Sequence, residues 1–184
     1  VDWQDPDCLG PCDNSENGLN LGIPGGDGPD CTVDCYWDSN SGTGNDGCYW
    51  NHQCDPLSVA PNYFPESWNG AKCAHDPKAN TPGTSLSCDD LLKNQPESCL
   101  KMCPQLTPNG CDCFGCCVLY KEGKEYGPVW LGTEDGNGNF TCQLDKLGAM
   151  PQSEQDKACA PCTQVQNECY NGCGKWEICI GKTI

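Results

Sequence analysis

Residues Cys111–Cys117 read Cys-Asp-Cys-Phe-Gly-Cys-Cys, four cysteines in seven positions. They can be wired in two ways. As thiolates at this spacing they could wrap a zinc ion. As half-cystines, adjacent cysteines such as Cys116 and Cys117 are common in disulfide scaffolds, where the two point to opposite sides. The redox compartment decides between these. The chain has 20 cysteines in 184 residues, an even number and a density above the roughly 8–10% that marks a disulfide scaffold. So many thiols do not persist in a reducing cytosol without oxidising or scavenging metal. Disulfides are therefore expected at Cys8, Cys12, Cys31, Cys35, Cys48, Cys54, Cys73, Cys88, Cys99, Cys103, Cys111, Cys113, Cys116, Cys117, Cys142, Cys159, Cys162, Cys169, Cys173 and Cys179. The same logic places the chain outside the cell or on its surface.

Immediately after the cysteine cluster comes a hairpin signal. Val118–Tyr120 and Tyr126–Leu131 flank Glu122-Gly123-Lys124, a glycine-containing turn. Gly136-Asn137-Gly138 reads as a second turn leading into Asn139–Cys142. Upstream, Ser87 is suited to cap a short helix whose first turn holds Asp89 and Asp90. Pro96 interrupts it, and Glu97–Cys103 forms a second short helix that Pro104 ends. A further short helix is expected over Thr163–Tyr170, before Gly172 and Gly174. The first third is different. Segments such as Gly22–Pro29 and Asp38–Gly47 show neither helical nor strand periodicity and read as loops pinned by cysteines.

The cluster CDCFGCC, the hairpin, and then CAPC, CYNGC and CIGKT over Cys159–Thr183 together resemble the C-terminal part of cysteine-rich secreted proteins predicted in myxobacterial genomes. The resemblance spans residues 111–183. It implies an exported, disulfide-rich, surface-associated protein, with no activity and no functional residue to carry over.

Composition explains why a disulfide framework is needed. Leu, Ile, Val and Phe account for only 26 of 184 residues. A fraction below roughly 20% with high net charge cannot usually offset the entropy of folding. Each disulfide typically contributes about 2–4 kcal/mol by restricting the unfolded chain. The expected fold is small and disulfide-rich, with irregular loops, short helices, one β-hairpin and little regular secondary structure. Cysteine parity suggests two modules. A division at residues 105–110 leaves ten cysteines on each side, giving 1–104 as an acidic Gly/Asn/Asp-rich module and 105–184 as a module with the hairpin and a short C-terminal helix.

The net charge is −16, and all ten basic residues are lysines. Nucleic-acid binding is excluded on this balance, since phosphate recognition relies on clustered cations and arginine forks. No run of 18 apolar residues exists, so no transmembrane segment is expected. Val1 reads as a processed mature start or an imposed boundary.

Chemistry-bearing motifs are sparse. His52 and His75 are the only histidines, and no nucleophile elbow is present, so the chain is not expected to be an enzyme. Asp135, Asn137 and Asn139 begin an EF-hand template, but Phe140 stands where glycine is required and Lys146 where the bidentate Glu belongs. No cofactor is expected, although a structural Ca²⁺ at Asp135, Asn137 and Asn139 is compatible with the abundant oxygen donors. Asn139-Phe140-Thr141 is an N-glycosylation sequon in a eukaryotic setting. Trp37, Trp50 and Trp68 lie among Asn and Asp and would suit stacking on sugar rings, with packing in a core-poor module as the competing reading. The functional expectation is a non-enzymatic secreted structural or cell-surface protein, a coat, fibre or adhesin component acting by self-association or by contact with extracellular matrix or glycan. The alternatives are a carbohydrate-binding module and a secreted inhibitor or effector.

Overall fold

A computed structural model describes residues 32–34, 49–57, 75–79, 85–102, 107–131, 133, 141–165 and 170–183. Two short strands, β1 (Thr32–Asp34) and β2 (Tyr49–Asn51), pair antiparallel with Val33 opposite Trp50. Helix α1 spans Cys88–Lys93 and α2 spans Glu97–Met102. Strands β3 (Cys116–Lys121) and β4 (Lys124–Trp130) form the hairpin, and α3 covers Gln152–Ala158.

Local chemistry accounts for each element. The Ser87 hydroxyl accepts a hydrogen bond from the Asp90 amide at 3.2 Å and donates to Asp90 Oδ2 at 2.7 Å, closing the N-terminus of α1. Pro96 separates α1 from α2. The hairpin turns on two residues, Glu122 (φ 52°) and Gly123 (φ 76°). Left-handed geometry at both positions is the type I′ turn, whose twist matches that of the flanking strands. A register shift between Cys117 and Leu119 marks a bulge in β3. Gly127 (φ 108°) faces it, and a Cβ there would lie 2.8 Å from the Cys117 carbonyl oxygen. Only glycine fits this close approach.

Irregular segments extend the hairpin on both edges. Along β3, Val118 donates to Gly110 O at 2.9 Å, Asp112 donates to Cys116 O at 3.0 Å, and Tyr120 donates to Ile180 O at 2.9 Å. Along β4, Trp130 donates to Ala160 O at 2.7 Å and Cys162 donates to Pro128 O at 3.3 Å. The strand edges are thereby covered by the chain itself.

Among the described residues, five disulfides staple this arrangement: Cys54–Cys88, Cys111–Cys117, Cys116–Cys162, Cys142–Cys159 and Cys173–Cys179; Cys8, Cys12, Cys31, Cys35, Cys48, Cys73, Cys103 and Cys169 lie outside the described residues. Cys99 is also disulfide-bonded. Cys116 and Cys117 do point to opposite sides, as adjacent strand residues must. Cys117 joins a cluster with Cys111, Leu119, Val129, Leu131, Cys142, Leu147 and Cys159. Cys116 joins Trp130, Ala160 and Cys162. A third cluster holds Trp50, Cys54, Ala79, Cys88, Leu91, Cys99, Cys113, Phe114 and Val165. Among the described residues, 11 of the 22 buried hydrophobic residues are cysteines. The fold is small and disulfide-rich, with little regular secondary structure.

Of the short helix expected over Thr163–Tyr170, residues 163–165 are irregular and residues 166–169 lie outside the described residues; α3, at Gln152–Ala158, was not expected. Side chains accept the amides of Thr163 and Val165. Thr163 N–H donates to Asp55 Oδ2 at 2.8 Å and Val165 N–H to Asp112 Oδ2 at 2.7 Å. The Gln164 side chain donates to Gly110 O and Cys116 O.

Asp112 is the hub of these bonds. It is 1% exposed, and its Oδ1 also accepts from the Phe114 and Cys116 amides, both at 2.9 Å. Burial pushes its carboxyl up to about 7; the three amides act against this rise and nearby Asp55 adds to it. A carboxyl whose pKa is raised in the fold contributes stability that is fully present below its unfolded value near 3.8 and is lost as pH rises through 7. Denaturant unfolding of the oxidised protein should therefore show this group's contribution to stability falling as pH rises from 4 to 7. Asp112→Asn should flatten that slope. It should also lower stability at pH 4 by roughly 1–3 kcal/mol, because one amide-bearing arm cannot accept from all three N–H groups. Identical slopes in the two proteins would refute the assignment.

Candidate functional site

Most polar groups in the interior are committed to bracing the chain. Among the described residues, the buried polar side chains are Asp55, Gln95, Thr107, Asp112, Thr133 and Gln164. Gln95 donates to Leu91 O, Thr107 to Cys113 Sγ at 3.8 Å, and Thr133 to Trp130 O. His75 is exposed and its Nδ1 lies 3.0 Å from Gln53 O. Among the described residues, no group of three or more His, Cys, Asp or Glu is placed to hold a metal ion.

Trp50, expected as a sugar platform, is 3% exposed. Its ring stacks on Phe114 with centroids 5.7 Å apart and planes at 29°. The face a sugar would need is covered, so Trp50 serves as packing, the competing reading of these aromatics. Trp37 and Trp68 lie outside the described residues, as do Asp135, Asn137, and Asn139 and Phe140 of the sequon.

The exposed aromatic is elsewhere. Trp176 is 88% exposed and stands in the loop closed by Cys173–Cys179. The loop is built tightly. Glu177 N–H donates to Gly174 O at 3.3 Å, a four-residue turn with Lys175 and Trp176 at its tip. Glu177 Oε2 accepts from the Gly174 amide at 2.6 Å, and Lys182 Nζ approaches Gly174 O at 3.5 Å. Asn109 anchors the base by donating to Ile178 O at 3.1 Å, while its own Oδ1 accepts from Asn171. Asn171 in turn exchanges backbone hydrogen bonds with Gly110 and Cys111.

Beside this tip lies a cavity of about 420 Å³ lined by Asn109, Lys175, Trp176, Glu177, Ile178, Lys182 and Thr183. Lys175 Nζ sits 5.1 Å from the Trp176 ring centroid, and Lys182 Nζ sits 5.2 Å from that of Tyr120. The site therefore combines an open indole, two ammonium groups and polar walls on a stapled loop. Trp176 has Lys175 and Glu177 as neighbours, not the Asn and Asp that surround the aromatics of the first half. The available signal was a lone Lys-Trp between two half-cystines six residues apart.

No protein-family model, curated protein or solved structure matches this chain. Its many disulfides fit an extracellular, disulfide-stabilised protein, and among the described residues no helix is long and apolar enough to cross a membrane.

The loop staple and the indole should separate in stability measurements. Trp176→Ala should change stability by less than about 0.5 kcal/mol, since the ring is exposed. The paired change Cys173→Ser and Cys179→Ser should cost roughly 2 kcal/mol by loop-closure entropy. Loss of Cys116–Cys162, with a separation of 46 residues, should cost roughly 4 kcal/mol on the same scale. Guanidinium unfolding of the three variants measures this order, and a Trp176→Ala loss as large as the staples would disprove an exposed role.

Proposed function

We propose that this chain is a non-enzymatic secreted or cell-surface protein, a coat, fibre or adhesin component that works by attachment. The observation that carries this reading is that, among the described residues, half of the buried hydrophobic ones are cysteines. Such an interior is stable only where disulfides persist, and it tolerates the dilution, drying and proteolysis met outside cells. The commitment of the buried polar groups to backbone bracing supports a scaffold over a catalyst. A second reading, attachment through glycan, is favoured by the exposure of Trp176.

Mixing the oxidised protein with washed, insoluble cell-surface material and sedimenting it tests both readings. We expect co-sedimentation that is lost on reduction and alkylation, with no soluble sugar or peptide released. Sedimentation velocity over rising concentration measures self-association in parallel. A strictly monomeric protein that stays in the supernatant would overturn attachment, and release of soluble fragments in proportion to added protein would overturn the non-enzymatic assignment.

A further inference from the structure

We propose that the cavity beside Trp176 is a subsite for an acidic pyranose, a uronic acid residue within a polysaccharide. This rests on the glycan-attachment reading and names its ligand.

A pyranose ring has an apolar face made of C–H groups and an edge of hydroxyls. An exposed indole supplies a matching flat surface, and Trp176 is held at a turn tip with almost none of its area covered. Its backbone is fixed by the Cys173–Cys179 staple and by the Gly174–Glu177 hydrogen bonds, so little order must be imposed on binding. The cavity of about 420 Å³ falls in the range of small-ligand sites, roughly 300–1,000 Å³. It has room for a short saccharide.

Charge selects the kind of sugar. The lining holds two lysines and one glutamate on a chain whose net charge is −16. Glu177 is turned back onto the Gly174 amide at 2.6 Å, so the lining keeps one more cation than anion, with Lys175 beside the Trp176 ring and Lys182 beside Gly174 O and the Tyr120 ring. The surrounding acidic surface is screened beyond roughly 8–10 Å at physiological salt, so the local cations govern a group seated here. A carboxylate on the sugar edge can take charge-assisted hydrogen bonds from them while the ring lies on Trp176. A protein partner fits less well. Apart from Trp176 and Ile178 the lining is polar or charged, whereas a protein hot spot needs an apolar, desolvated centre.

Isothermal titration of the oxidised protein with a tetrasaccharide of α-1,4-linked galacturonic acid tests the assignment, with maltotetraose as the neutral control. Vesicles of equal parts phosphatidylcholine and phosphatidylglycerol test for a lipid surface. We expect saturable binding of the uronate at least about tenfold tighter than of the neutral sugar. Trp176→Ala should weaken it about tenfold or more, Trp176→Phe less, and Lys175→Gln or Lys182→Gln about two- to fivefold each. Equal binding of the two sugars, binding to vesicles alone, or uronate binding unmoved by Trp176→Ala would each overturn the proposal. Co-sedimentation with cell-surface material that persists in Trp176→Ala would leave attachment standing and remove this subsite. Failure of both proteins to co-sediment would remove the attachment reading itself.

Discussion

The heptapeptide Cys111–Cys117 is the constraint on which the rest of the fold depends. It places residues in all three buried clusters. Cys113 and Phe114 enter the first, Cys111 and Cys117 the second, and Cys116 the third. A segment this short can do so because it is a hook. Asp112 Oδ1 accepts from the amides of Phe114 and Cys116, and Gly115 takes a left-handed conformation (φ 81°). The chain then leaves as β3 with adjacent cysteines facing opposite ways, one tied to Cys111 and the other to Cys162. Two covalent links and one buried carboxylate thus fix the hook to the hairpin and to the C-terminal segment.

The covalent and noncovalent connections divide the chain differently. Each of the five described disulfides joins cysteines that are both before residue 105 or both after it. Packing and hydrogen bonds run across that point. Trp50 stacks on Phe114, Val165 shares a cluster with Cys54 and Cys88, and Asp55 accepts from the Thr163 amide. An aromatic pair of this kind contributes about 0.5–1.5 kcal/mol beyond the area it buries. With so few aliphatic residues available, such contacts form a large share of the noncovalent interior.

What could be read from sequence was local. The Ser87 cap, the Pro96 break, the turn at Gly123 and the opposed Cys116 and Cys117 each follow from backbone chemistry within a few residues. The path of Thr163–Val165 is pinned by side chains far away in sequence, Asp55 and Asp112, which accept two of its amides. No local pattern announces those long-range contacts. Helix α3 was missed because its residues, Gln152–Ala158, carry no apolar stripe, and none of them is buried. Trp50 and Trp176 are interchangeable in composition, each beside polar neighbours. Only tertiary placement tells them apart: one lies against Phe114, the other is lifted off the surface by a staple.

That contrast also bears on function. In a chain with 26 Leu, Ile, Val and Phe residues among 184, leaving a tryptophan 88% exposed forgoes one of the largest apolar surfaces available for burial. A floppy tail would hide such a ring by collapse. Here the loop is closed by Cys173–Cys179 and tied to Gly110 and Cys111 through Asn171, so the indole is held away from the interior that would otherwise take it. A scaffold short of apolar residues thus leaves one of its six tryptophans in solvent, beside two ammonium groups. The same covalent economy that replaces a core with cystine therefore also restricts the loop that carries the indole.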